Sequence, residues 1–132
     1  EKFEPTEVDK NIFNMLSKPF LNLCENINFN YCKKRPLIQI EFNSFSSDYD
    51  YYMHLDAKNK PLVFIYHLSN KGLGTDLHST PDGPCVKTTN WIPNGGSGFL
   101  NHRKAWHTYT NKGQDYVRQS IHFAYWDIAP NL

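Results

Sequence analysis

The sequence has no block of Lys or Arg and no basic helix. Its 14 basic and 13 acidic residues leave a formal charge of +1, so neither a nucleic acid nor a membrane partner is indicated. No run is apolar enough to cross a bilayer, and no signal peptide is recognisable. Cysteine is scarce: Cys24, Cys32 and Cys85 are an odd set without the C-x-x-C spacing of a zinc ligand pair. Free thiols in a reducing, cytoplasmic setting are the expectation. Repeats, linkers and low-complexity tracts are also missing. One domain over residues 1–132 follows, with a supporting helix and strand in 1–45 and a β core in 46–132.

What is present is apolar and aromatic. Hydrophobic residues make up 39% and aromatics 15%, enough for a core without staples and biased towards β structure. Near the N-terminus, "TEVDKNIFNMLSKPF" predicts an amphipathic helix. Thr6 caps it with Asp9 three residues on; Val8, Ile12, Met15 and Leu16 share a face, and Pro19 ends it. Extended runs then follow at "PLIQIEF", at residues 49–56, and at "KPLVFIYHLS", which reads as a strand buried on both sides. A short strand near Thr75–Leu77 lies among turns. Later extended pieces are separated by turns at Asn94–Gly98 and Asn111–Gly113, and "VRQSIHFAYWDI" closes the chain with period-two character. One helix before about eight short strands predicts a mainly β sandwich or jelly roll with the helix outside.

Inside "YYMHLDAKNK", His54 and Asp56 are two residues apart and project from one face of a strand. His107, in "AWHTY", is the best candidate for a third ligand. Two histidines and a carboxylate make the facial triad that holds non-heme Fe(II) with three positions open; zinc would leave one position for water. On the last strand Arg118, Ser120 and His122 share a face opposite Gln119, Ile121, Phe123 and Tyr125. An inward arginine is costly unless it meets an anion. A guanidinium with a hydroxyl beside it suits a carboxylate, and a structural Arg–Asp pair is the alternative.

The ordered segments "HLD", "KPLVFIYHLSN", "GTDLH", "WIPNGGSGFL", "WH" and "RQS" resemble the Fe(II)/2-oxoglutarate-dependent dioxygenases, and most of all their small prolyl-hydroxylase-like members. The resemblance spans residues 52 to 126 and is loose in the N-terminal third. It implies a cupin-like double-stranded β-helix, a distorted jelly roll, over 46–132. His54, Asp56 and His107 would hold Fe(II), and Arg118, helped by Ser120, would grip the distal carboxylate of 2-oxoglutarate. O2 would be the second cosubstrate and ascorbate a reductant. The implied outcome is hydroxylation of a peptidyl or small-molecule C–H bond with release of succinate and CO2. Relatives often place a tyrosine before the Leu of "FIYHLS"; here His67 stands there with Tyr66 one step earlier, and both are carried as cosubstrate-site candidates. Tyr52 shares the His54 face by alternation. Asn94 is a structural turn residue, and Trp106 and Trp126 are core or pocket-wall residues. His78 and His102 are expected in solvent and His122 faces inward.

Two other functions compete. A cupin-like protein could hold a metal without 2-oxoglutarate, or a jelly-roll module could bind a partner with incidental His and Asp residues. Arg118-x-Ser120 argues against the first. The chain is expected to act as a monomer or homodimer.

Overall fold

In the computed structural model, residues 4–27, 37–102, 104–111 and 113–127 are described. Helix α1 (Glu7–Asn26) precedes eight strands: β1 (Leu37–Phe45), β2 (Asp50–His54), β3 (Leu62–His67), β4 (Asp76–His78), β5 (Cys85–Thr88), β6 (Gly96–Leu100), β7 (Trp106–Thr110) and β8 (Arg118–Trp126). They form a β-sandwich of two four-stranded antiparallel sheets, ordered β1-β8-β3-β6 and β2-β7-β4-β5. The pairs are nested. The first strand pairs with the last, the second with the seventh, the third with the sixth, and the fourth with the fifth. The chain is therefore one long antiparallel ribbon wound upon itself.

Alternation along β8 assigns its two faces. Ile121, Phe123 and Tyr125 join Ile38, Leu62, Phe20 and Cys24 in the core between this sheet and α1. Phe20 stacks on Phe123 with ring centroids 5.3 Å apart. Burying a side chain of that size stabilises the fold by roughly 2–3 kcal/mol. Arg118, Ser120 and His122 consequently lie on the opposite face, between the sheets.

The helix differs from expectation in two ways. Thr6 and Asp9 do cap it reciprocally, but it runs through Pro19 to Asn26. Its buried positions are Ser17, Phe20 and Cys24, while Val8 and Met15 are each 65% exposed. Packing of the C-terminal half on the sheet outweighs the hydrogen bond that proline removes. The turn expected at Asn94–Gly98 is shorter, because Gly96–Leu100 pairs with β3 as β6; Asn94, at φ 56°, makes the turn itself. The second short strand of the Gly/Pro-rich stretch, β5, gave no sequence signal. Cys24 is buried and Cys85 exposed, both free, whereas Cys32 lies outside the described residues. No helix among the described residues is long and apolar enough to cross a membrane.

Candidate metal centre and anion site

His54 and His107 are cross-strand partners on β2 and β7, and Asp56 follows the end of β2. Their ligand atoms all lie within 4.8 Å of one another. Asp56 Oδ1 is 4.0 Å from His54 Nε2, and Oδ2 is 3.6 Å from His107 Nε2.

Tautomers follow from the partners. His54 Nδ1 is 2.9 Å from the Tyr52 carbonyl, and His107 Nδ1 is 2.9 Å from the Ala105 carbonyl. A carbonyl only accepts, so each Nδ1 carries the proton and each Nε2 presents a lone pair towards Asp56. This is the arrangement by which metal-binding histidines are oriented. Burial holds the His107 pKa below the ordinary histidine value, favouring the neutral ligand form. Asp56 Oδ2 is buried without a hydrogen-bond partner, while Oδ1 receives Lys60 Nζ at 3.3 Å. A carboxylate with one oxygen unpaired and buried beside the His107 lone pair, and the His54 lone pair 4.0 Å from its other oxygen, is unfavourable by itself, and a divalent cation resolves all three. The residues fit a metal.

A second unsatisfied group lies deeper. Arg118 is fully buried, its Nε donating to the Leu73 carbonyl at 3.2 Å; among the described residues Nη1 and Nη2 make no well-aligned hydrogen bond, although the Tyr109 hydroxyl lies near enough to favour the guanidinium charge. Among the described residues no carboxylate pairs with it, so the structural Arg–Asp alternative is not met there. The guanidinium is instead flanked by aromatics, with Cζ 4.1 Å from the Tyr109 ring and 4.8 Å from the Trp91 ring. Desolvation lowers its pKa from the ordinary value. The turn around Leu73 makes this possible. A Cβ on Gly72 would lie 2.2 Å from Trp91, and one on Gly74 would lie 1.6 Å from the Thr89 carbonyl oxygen. Both glycines are required by close approach.

The two sites share one wall, Tyr109. Tyr109 lines the same interior cavity, of about 100 Å³, as His54, Asp56 and His107, together with Asn43, Thr75 and His122. Tyr109 Oη, Thr75 Oγ1 and Asn43 Nδ2 are also buried and unpaired. The cavity therefore offers unengaged donors, one of which, Tyr109, also lies against Arg118. Burial raises the Tyr109 pKa well above the phenol range, so it remains a neutral donor.

The remaining sequence candidates divide. Ser120 is fully buried on the Arg118 face, its Oγ 3.1 Å from His122 Nε2. His67 is buried, but the Ile92 N–H donates to its Nδ1 at 3.0 Å, its Nε2 is 3.4 Å from Ser97 Oγ, and its ring stacks on Trp91 at 4.1 Å. It reaches Arg118 through Trp91. Tyr66 is not brought to the site: it packs against the helix-side core, lining a cleft with Phe20 and Phe123. Alternation with the inward His67 turns it outward. Tyr52, expected beside His54, is 70% exposed. The register slips between Tyr51 and His54, so Tyr51 faces Tyr109 and lines the cavity instead. His102 is exposed as expected, whereas His78 is half-buried and bonds to the Gly83 carbonyl at 2.9 Å.

Sequence reading missed Tyr109, Thr75, Asn43 and Trp91. Only Tyr109 carried a usable signal, two residues beyond His107 on the same strand face.

No family model matches the chain, and no curated protein does. A solved structure concerning Bacillus endospore appendages, described as a family of disulfide-linked pili, is similar with a TM-score of 0.37 at 12% identity. The similarity covers 76% of this chain and 97% of that one.

Proposed function

We propose that this chain is an Fe(II)- and 2-oxoglutarate-dependent dioxygenase that hydroxylates a C–H bond of a peptide or small molecule. The nested strand order supports a jelly roll of the double-stranded β-helix kind, in which a wound ribbon places its middle pairs around one interior. The observation that carries the reading is Arg118: a buried guanidinium with two nitrogens lacking a hydrogen-bond partner among the described residues, packed on Tyr109, which also lines the His54–Asp56–His107 cavity.

His54, Asp56 and His107 would hold the iron, each imidazole kept in its ligand tautomer by a backbone carbonyl. When bound, iron supplies the activation of O2 that couples oxidative decarboxylation of 2-oxoglutarate to hydroxylation, with succinate and CO2 released. Arg118 receives the distal carboxylate of 2-oxoglutarate on its two free nitrogens. Tyr109 and Thr75 are free to donate further hydrogen bonds. Trp91 and Tyr109 exclude water from the guanidinium and strengthen its attraction for the carboxylate. Lys60 holds one oxygen of Asp56, which favours ligation through the other.

Thermal stability tests the reading. Mn(II) with 2-oxoglutarate should raise Tm beyond the sum of the separate shifts, since each ligand stabilises the folded state. Fe(II)-loaded protein should release succinate slowly from 2-oxoglutarate in air. If 2-oxoglutarate adds nothing to Mn(II)-loaded protein, the reading fails.

A further inference from the structure

We propose that the molecule oxidised at this site carries an anionic group, a carboxylate or a phosphate, received by Lys58 and His102 in a cleft outside Asp56. The proposal rests on the metal-site reading given above. Asp56 lines two spaces: the interior cavity with His54 and His107, and an outer cleft of about 470 Å³ walled by Leu55, Lys58, Asn101 and His102. That volume suits a small ligand or one side chain of a larger one. The cleft adjoins a proposed metal ligand, so its occupant lies beside the reacting centre.

Apart from Asp56, its polar side chains offer donors. His102 Nδ1 accepts the Lys104 backbone N–H at 3.1 Å, which places the proton of the neutral ring on Nε2. Lys58 has no ion-pair partner among the described residues. Asn101 Nδ2 donates to the Ala57 carbonyl at 2.8 Å and ties the Asp56–Lys58 turn to the opposite wall. A neighbouring cleft that shares His102 adds Lys87 and Lys104. Among the described residues lining both clefts Asp56 is the sole acid, and Lys60 already faces it at 3.3 Å. A chain with formal charge +1 thus concentrates cations at one opening. Arg118 is fully buried and does not line this cleft, so cosubstrate and substrate anions have separate cations.

The test uses protein loaded with Mn(II) and 2-oxoglutarate, in which paramagnetic broadening of probe proton signals reports proximity to the metal. The probes are N-acetyl-aspartate amide, its neutral isostere N-acetyl-asparagine amide, N-acetyl-phosphoserine amide and N-acetyl-lysine amide. One or both anionic probes should broaden at about tenfold lower protein concentration than the neutral one, as an exposed ammonium and an imidazole N–H donor permit. Whichever anion is preferred identifies carboxylate or phosphate. Lys58→Gln/His102→Gln should abolish the preference while retaining the Tm rise with Mn(II) and 2-oxoglutarate. Equal broadening by all probes, none by any at millimolar concentration, or preference for the lysine derivative overturns the proposal. So does a preference that survives in the double variant. Saturation-transfer spectra of metal-free protein read the same preference without the metal. A preference there, with no joint stabilisation by Mn(II) and 2-oxoglutarate, overturns the dioxygenase reading alone.

Discussion

His54 and His107 stand directly opposite each other across β2 and β7, with ring centroids 4.1 Å apart and both Nε2 atoms turned towards Asp56. A bulge beside His54 sets this relationship. Two residues of β2 oppose Thr108, which sends Tyr52 outward and leaves Tyr51 and His54 both facing the interior.

His107→Ala and Asp56→Ala should each abolish stabilisation by Mn(II). At a concentration of 100 times Kd the parent gains about 2.7 kcal/mol. Denaturant midpoints with and without metal measure the difference, and a variant stabilised like the parent would exclude that residue as a ligand.

Arg118→Met should remove the 2-oxoglutarate-dependent rise in Tm and keep the response to Mn(II). Replacing a buried, unpaired guanidinium with an apolar chain is often neutral or stabilising, so the ligand-free variant should equal the parent or exceed it by up to about 2 kcal/mol. Marked destabilisation of the ligand-free protein would mean that the aromatic contacts already satisfy the charge.

Tyr109→Phe deletes a hydroxyl that makes no well-aligned hydrogen bond among the described residues and lies beside Arg118. Ligand-free stability should change by less than about 1 kcal/mol, whereas 2-oxoglutarate affinity, read by calorimetry on Mn(II)-loaded protein, should fall about tenfold. Unchanged affinity would remove Tyr109 from the cosubstrate site.

Gly72→Ala drives a methyl group into Trp91 and should displace that ring from Arg118. Tryptophan fluorescence should shift and 2-oxoglutarate binding weaken, with the Mn(II) response intact. A variant that binds 2-oxoglutarate normally would show Trp91 to be dispensable.

Stability in the presence of a chelator should fall as pH drops from about 6.5 towards 4. Burial, and then the Arg118 charge, hold the His122 pKa down to about 4 against the ordinary 6.5. Between those values the unfolded chain binds more protons than the folded one, so the contribution is complete above 6.5 and lost below it. His67 and His107 are lowered by burial and act in the same direction. His122 contributes at most about 3 kcal/mol of this loss. Urea midpoints at stepped pH measure the slope, and His122→Gln should flatten it; an unchanged slope would assign the effect to the other histidines.

By itself the sequence determined the parts that depend on local periodicity. A continuous apolar run marked β3, period-two alternation marked β8, the Thr6–Asp9 spacing marked the start of α1, and the i, i+2 relation placed Arg118 with Ser120 and His122 on one face. His54, Asp56 and His107 were legible as candidates because their chemistry is narrow. Tertiary structure decided what local pattern cannot carry. The bulge exchanged Tyr52 for Tyr51, because an extra residue reverses alternation only relative to a partner strand. Sheet packing carried α1 past Pro19, since burial of Phe20 and Cys24 outweighs a missing hydrogen bond. The donors lining the cavity beside the metal residues come from β1, β7 and the loop before β4, segments distant in sequence that only the strand pairing brings together.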